Sequence, residues 1–154
     1  MKKQMIIMLS MLTLLLCTGC GNHSTSVDST TSATAVVTPL AENVCVRAGT
    51  EPDGEILLDG TNMEGFMASS NYTEEMPYGF ALVLTNDGKK AFRTATRNLA
   101  KTKSPITLWA GDEAVCSPVI TGMLNTNYVI LSIASVKDDT SYQRTVDLLS
   151  APKE

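Results

Sequence analysis

The chain has 154 residues, 44% of them hydrophobic and 5% aromatic, with a formal net charge of −4. Sixteen Asp and Glu against twelve Lys and Arg leave no basic footprint for nucleic acid, and a single histidine rules out any histidine-pair chemistry. The length suits one ordinary domain with a single hydrophobic core.

The chain opens on Lys2 and Lys3, continues with an apolar run over residues 5–16 and reaches Cys17-Thr18-Gly19-Cys20. A short basic start, an apolar stretch of this length and small residues before a cysteine read as an export signal ending in a lipobox. A membrane-spanning helix needs about 20 consecutive apolar residues, and this run is shorter. Cys20 follows the small Thr18 and Gly19, whereas Cys17 follows three leucines too bulky for the cleavage pocket. Residues 1–19 are therefore expected to be a lipoprotein signal peptide. Cys20 is expected to be the acylated first residue, anchoring the protein in the cell envelope on the extracytoplasmic side of a membrane. Cys17 stands where such a box usually carries leucine. Cleavage separates it from Cys20, which excludes a redox or metal pair. After cleavage ten basic residues face sixteen acids, a net charge of −6 that gives no polybasic aid to membrane binding.

Residues 20–43 hold the lipidated cysteine and a Ser/Thr-rich stretch with few large apolar groups. Such a composition cannot bury enough surface to offset its ordering entropy, so it is expected to be a disordered tether. His23 lies within it and reads as solvated filler.

Residues 44–154 form one expected domain. Residues 44–48 and 55–59 read as short strands, the second closed by Asp59-Gly60. Met63, Phe66 and Met67 suggest a turn or two of amphipathic helix. Residues 80–85 are an apolar strand. A helix follows, with Asn86 as its cap, Asp87 in its first turn and Lys101 and Lys103 at its far end, the charge order the helix dipole favours. Ala91, Phe92, Ala95 and Leu99 make its apolar stripe, and Lys89, Lys90, Arg93 and Arg97 a basic face. Residues 106–110 and 114–120 flank Gly111-Asp112 as a hairpin, with Pro118 marking an edge strand or a bulge. Residues 128–134 read as a strand and 138–149 as a final helix carrying Tyr142, Val146 and Leu149 inward, with Pro152 just beyond. The result is an α+β domain, a mainly antiparallel sheet with two helices packed on one face.

The segment from Phe80 through Thr85-Asn86-Asp87-Gly88, followed by Phe92 and Thr96, resembles the strand-to-helix signature of the head subdomain in the first extracytoplasmic domain of SecD/SecDF protein-export subunits. In that family the strand is followed by Gly, three residues, Phe, three residues and Thr. Residues 108–120 resemble its hairpin, with Pro118 in the place of a characteristic proline, and Leu58-Asp59-Gly60 with Met63 resembles its entry segment. The resemblance covers roughly residues 55–149. The turn departs from the family in reading Gly111-Asp112-Glu113, and the usual glycine after the last strand is missing around Ser132–Ala134. No membrane-spanning segment follows the signal, so proton-coupled export work does not carry over. The resemblance implies a head-like module that binds exported polypeptide or an envelope or export-machinery partner.

The chemical inventory points to a non-enzyme. The folded region has no histidine, which removes Ser-His and Cys-His nucleophile pairs. Acidic pairs stand at Glu74-Glu75, Asp112-Glu113 and Asp138-Asp139; carboxylate-only catalysis would need two of them together in a cleft. No phosphate-cradling loop, metal-ligand cluster or cofactor fingerprint is present. The expected partners are a membrane, through the lipid, and a polypeptide or envelope protein, reached by an exposed sheet edge or the basic helix face. The alternative is a solute-binding or sensory lipoprotein, which would need a closed pocket. Cys45 and Cys116 fall in expected strands and in a compartment where disulfides persist. A bridge between them would close a loop of about 70 residues and contribute roughly 4 kcal/mol in the chain-entropy model. The other reading is two buried thiols acting as small hydrophobes.

Overall fold

The computed structural model describes residues 36–152. The expected signal peptide, Cys17, Cys20 and the first part of the tether lie outside the described residues. The elements run β1 (Val44–Ala48), β2 (Ile56–Leu58), β3 (Met63–Ser69), β4 (Gly79–Leu84), α1 (Asn86–Thr102), β5 (Ile106–Ala110), β6 (Glu113–Cys116), β7 (Tyr128–Leu131) and α2 (Asp139–Leu149). The α+β architecture of antiparallel strands and two helices is the expected one, but the strands divide into two sheets, ordered β2-β1-β5-β6 and β3-β4-β7.

The division follows from what happens after the hairpin. Beyond β6 the chain passes Pro118 and is then held to α1, where the Leu124 amide donates to the Thr96 hydroxyl at 3.0 Å. That detour delivers β7 to β4, where Leu82 faces Val129 and Phe80 faces Leu131. One core fills the space between the sheets. It takes Val44, Val46, Leu58, Ile106 and Leu108 from one sheet and Phe66, Phe80, Leu82, Leu84, Val129 and Leu131 from the other, closed by Phe92 of α1 and Leu149 of α2. Tyr142 of α2 lies against Phe80 and stacks on Tyr78, its ring centroid 5.3 Å from that of Tyr78.

Three expectations are corrected. Residues 63–69 form strand β3, not a helical turn. The ladder slips by one residue between Met63 and Gly65, so Met63 and Phe66, three apart, both reach the core and imitate helical spacing. Gly65 is needed there because a Cβ would run into the Thr38 carbonyl. Second, the N-cap of α1 is Thr85, whose hydroxyl accepts the Gly88 amide at 3.0 Å, not Asn86. Third, the tether does not extend to residue 43. Thr38 exchanges two backbone hydrogen bonds with Phe66 (2.8 and 2.9 Å), the Ala41 amide donates to Leu149 and the Ala151 amide to Pro39. These bonds join residues far apart in sequence, which the local composition of the segment does not encode.

Candidate interaction surfaces

The residues that carry the sequence signature pack against one another. After β2, the Asp59 carboxylate accepts the Thr61 hydroxyl at 2.6 Å and its amide at 2.8 Å, and these two bonds hold its pKa below the ordinary value. The resulting turn presents the Asn62 carbonyl to the Thr85 amide at 3.1 Å. Gly88 sits directly against that carbonyl, and any side chain there would collide with it. Gly88, Phe92 and Thr96 are the buried residues of α1, spaced four apart on one face, with Thr96 bonded to the Phe92 carbonyl at 2.8 Å and to Leu124. Pro118 is exposed and its carbonyl accepts the Ile106 amide at 3.0 Å. All four signature residues are thus engaged in building the fold.

The acidic pairs do not converge. Glu74 and Glu75 are exposed in the loop before β4, and Asp112 and Glu113 stand at the hairpin turn, where Glu113 meets Arg144 of α2 at 3.3 Å. Asp138 caps α2. The Ser141 amide and hydroxyl donate to it and lower its pKa, while Asp139 accepts the Tyr78 hydroxyl at 3.0 Å. Among the described residues no group of three His, Cys, Asp or Glu side chains is placed to hold a metal ion. On the basic face of α1, Lys89 reaches Asn127 at 3.2 Å and Lys90 pairs with Asp87 at 2.9 Å, leaving Arg93 and Arg97 exposed.

The expected Cys45–Cys116 bridge is corrected: both thiols are free. Cys45 lies opposite Trp109 on β5, and Cys116 lies opposite Leu108 on the other side of β5. The two cysteines are therefore two strand spacings apart, about 9–10 Å, and alternate onto opposite faces of the sheet, beyond the reach of a disulfide. Cys116 faces the core with Leu108, and burial pushes its thiol up to about 11 against a weaker opposing hydrogen bond from the Leu108 backbone.

Two kinds of open surface remain. The outer face of the three-stranded sheet holds an apolar groove of about 320 Å³ lined by Met67, Tyr72, Ala81, Tyr128 and Ile130 among others. Tyr128 and Ile130 are 53% and 58% exposed there. Each edge of the four-stranded sheet also borders a groove against a helix. One, of about 550 Å³, lies between β2 and α1, and the other, of about 440 Å³, lies between β6, residues 132–135 and α2. Between the sheets the void is about 10 Å³. Among the described residues no helix is long and apolar enough to cross a membrane.

No protein-family model matches the chain, and no curated protein does. Among solved structures it matches a membrane component SecDF that enhances protein export, with a TM-score of 0.54 and 14% sequence identity, covering 71% of this chain and 61% of that one. The fold is SecDF-like. The chain spans less than two thirds of that structure's length.

Within this SecDF-like fold the signature residues explain how the chain folds, and the exposed surfaces lie elsewhere. From sequence Tyr128 reads as a core or sheet-face residue rather than part of a ligand box, and Ile130 is not singled out, because Val129 and Leu131, between and beside them, already account for β7 as a core strand. The available signal was that the strand is apolar at both alternating positions, although its sheet buries only one face in the common core.

Proposed function

We propose that this chain is a lipid-anchored, extracytoplasmic interaction module that binds unfolded stretches of exported polypeptide and has no catalytic activity of its own. The observation that carries the reading is the apolar groove on the outer face of β3-β4-β7, with Tyr128 and Ile130 more than half exposed beside Tyr72 and Met67. Contiguous apolar surface of this kind on an outer sheet face supports the reading of an interaction site that another chain covers. The SecDF-like fold supports the same reading, since the matched protein enhances protein export. The solute-binding alternative has less in its favour. The grooves are open to solvent, and the void between the sheets has no more room than about one water molecule needs.

The test is fluorescence anisotropy of the full chain with a reduced, alkylated, permanently unfolded protein as probe. Binding is expected, and the double variant Tyr128→Ser/Ile130→Ser should weaken it at least about tenfold, the scale expected when apolar anchors are removed from an interface. Equal binding by the variant would remove the groove from the reading, and no binding by the unaltered chain would remove the reading itself.

A further inference from the structure

The cleft of about 440 Å³ beside α2 runs along β6 and its continuation to Pro118, the open edge of one sheet, and faces residues 132–135, which follow β7, the outer strand of the other. The hydrogen-bond phase along each edge is fixed. The Ile106 amide donates to Pro118 at 3.0 Å and the Ile120 amide to Ser104 at 3.1 Å, so residues 118 and 120 turn their main-chain groups toward β5. By antiparallel alternation Ser117 and Val119 turn theirs outward. On the other bank the Leu84 amide donates to Asn127, which turns residues 127, 129 and 131 toward β4 and leaves Tyr128, Ile130 and Ser132 facing out. Tyr128 is already satisfied on that side, since the Thr126 hydroxyl both accepts its amide and donates to its carbonyl at 3.0 Å. Ser117 and Ser132 line the cleft, and Val119, 55% exposed, lies one residue past its lining residue Pro118 on the same edge.

We infer that this cleft takes an uncharged, extended polypeptide segment as an added strand, held by main-chain hydrogen bonds to the edge at Ser117 and Val119. The inference rests on the polypeptide-binding reading and gives it a second, different mode of contact. What fits an open row of outward amides and carbonyls at strand spacing is another main chain in extended form, the mode of β-augmentation. The far wall offers Ser132, Ala134 and Ser135, short side chains that let a backbone come close. Charge selects the occupant further. Arg144 and Glu113 stand at the cleft as an exposed opposite pair 3.3 Å apart, so the cleft presents no net charge to its guest.

The experiment uses the full chain and a fluorescein-labelled, end-blocked eight-residue peptide of alternating Thr and Val. Binding should slow amide hydrogen exchange at Ser117 and Val119 at least tenfold. The same peptide N-methylated at every amide should bind at least tenfold more weakly. Ala134→Trp, which fills the cleft from an exposed position, should also weaken binding at least tenfold with an unchanged melting temperature. Peptide binding that ignores N-methylation and Ala134→Trp but is lost in the Tyr128→Ser/Ile130→Ser variant would overturn the added strand and leave the polypeptide reading standing. Binding of neither this peptide nor the unfolded protein would overturn both. Protection of Ser117 and Val119 that rises with protein concentration in the absence of peptide would overturn the inference by showing a second copy on the edge.

Discussion

At the scale of single residues, the signature positions act through contact rather than chemistry. Gly88 is a helix residue, and in an open helix alanine would be favoured over it by about 1 kcal/mol. Here a Cβ would collide with the Asn62 carbonyl, which is itself fixed by its bond to the Thr85 amide. The collision wins, because backbone held on both sides cannot move aside cheaply. Gly88→Ala is expected to destabilise by about 3 kcal/mol, the upper range for overpacking; a urea melt with an equal or higher midpoint would show that the turn at residues 60–62 gives way. Cys116 offers a pH test. Its thiol titrates near 11 in the folded protein instead of the ordinary 9.0, because burial disfavours the thiolate. A two-unit rise lowers the thiolate fraction about a hundredfold, so alkylation of native Cys116 at pH 8 should be far slower than in urea. The folded pKa is the raised one, so the associated stability is intact below pH 9 and is lost as pH rises toward 11. Burial also raises Tyr78 and Tyr142, which act in the same direction. Cys116→Ala should therefore make the alkaline fall in melting temperature shallower without abolishing it.

At the scale of elements, legibility depended on whether local pattern and tertiary contact agree. β1, β4, β5, α1 and α2 lie within a residue or two of their expected positions, since an apolar run or stripe marks each and, in α1, an acidic start and a basic end agree with it. β3 was misread because its bulge shifts alternation into a spacing of three, and the condition that permits the bulge, Thr38 crossing Gly65, lies far off in sequence. The split into two sheets was equally hidden, resting on a Thr96–Leu124 bond that no periodicity encodes. Of the surfaces, the sheet edges could be foreseen from Pro118, whereas the apolar groove depended on knowing which face of β7 is covered. The Thr38 crossing also yields a prediction. Residues 38–41 cover the outer edge of β3 and tie it to the end of α2 through Leu149 and Ala151. A chain beginning at residue 42 loses the Thr38–Phe66 pair of bonds and those to Leu149 and Ala151. At about 1 kcal/mol for each net hydrogen bond it should lose about 2–4 kcal/mol, and the bared edge should promote association. A chain beginning at residue 36 should melt like the whole. Equal midpoints for the two truncations would show that the segment adds nothing to the fold.

At the scale of the whole molecule, the paired contacts between Thr38 and Phe66 mark where the folded domain begins. The lipid anchor of the proposed function lies before that boundary, and it turns on the choice between Cys17 and Cys20. The small Thr18 and Gly19 before Cys20 suit cleavage, whereas Leu14, Leu15 and Leu16 before Cys17 do not. Metabolic labelling with a fatty-acid analogue, followed by membrane fractionation, separates the cases. The unaltered chain and Cys17→Ser are expected to carry label and sediment with membranes, and Cys20→Ser is expected to lose the label and leave the membrane fraction. Label retained by Cys20→Ser, or lost in Cys17→Ser alone, would move the anchor or abolish it, and with it the lipid-anchored part of the proposed function.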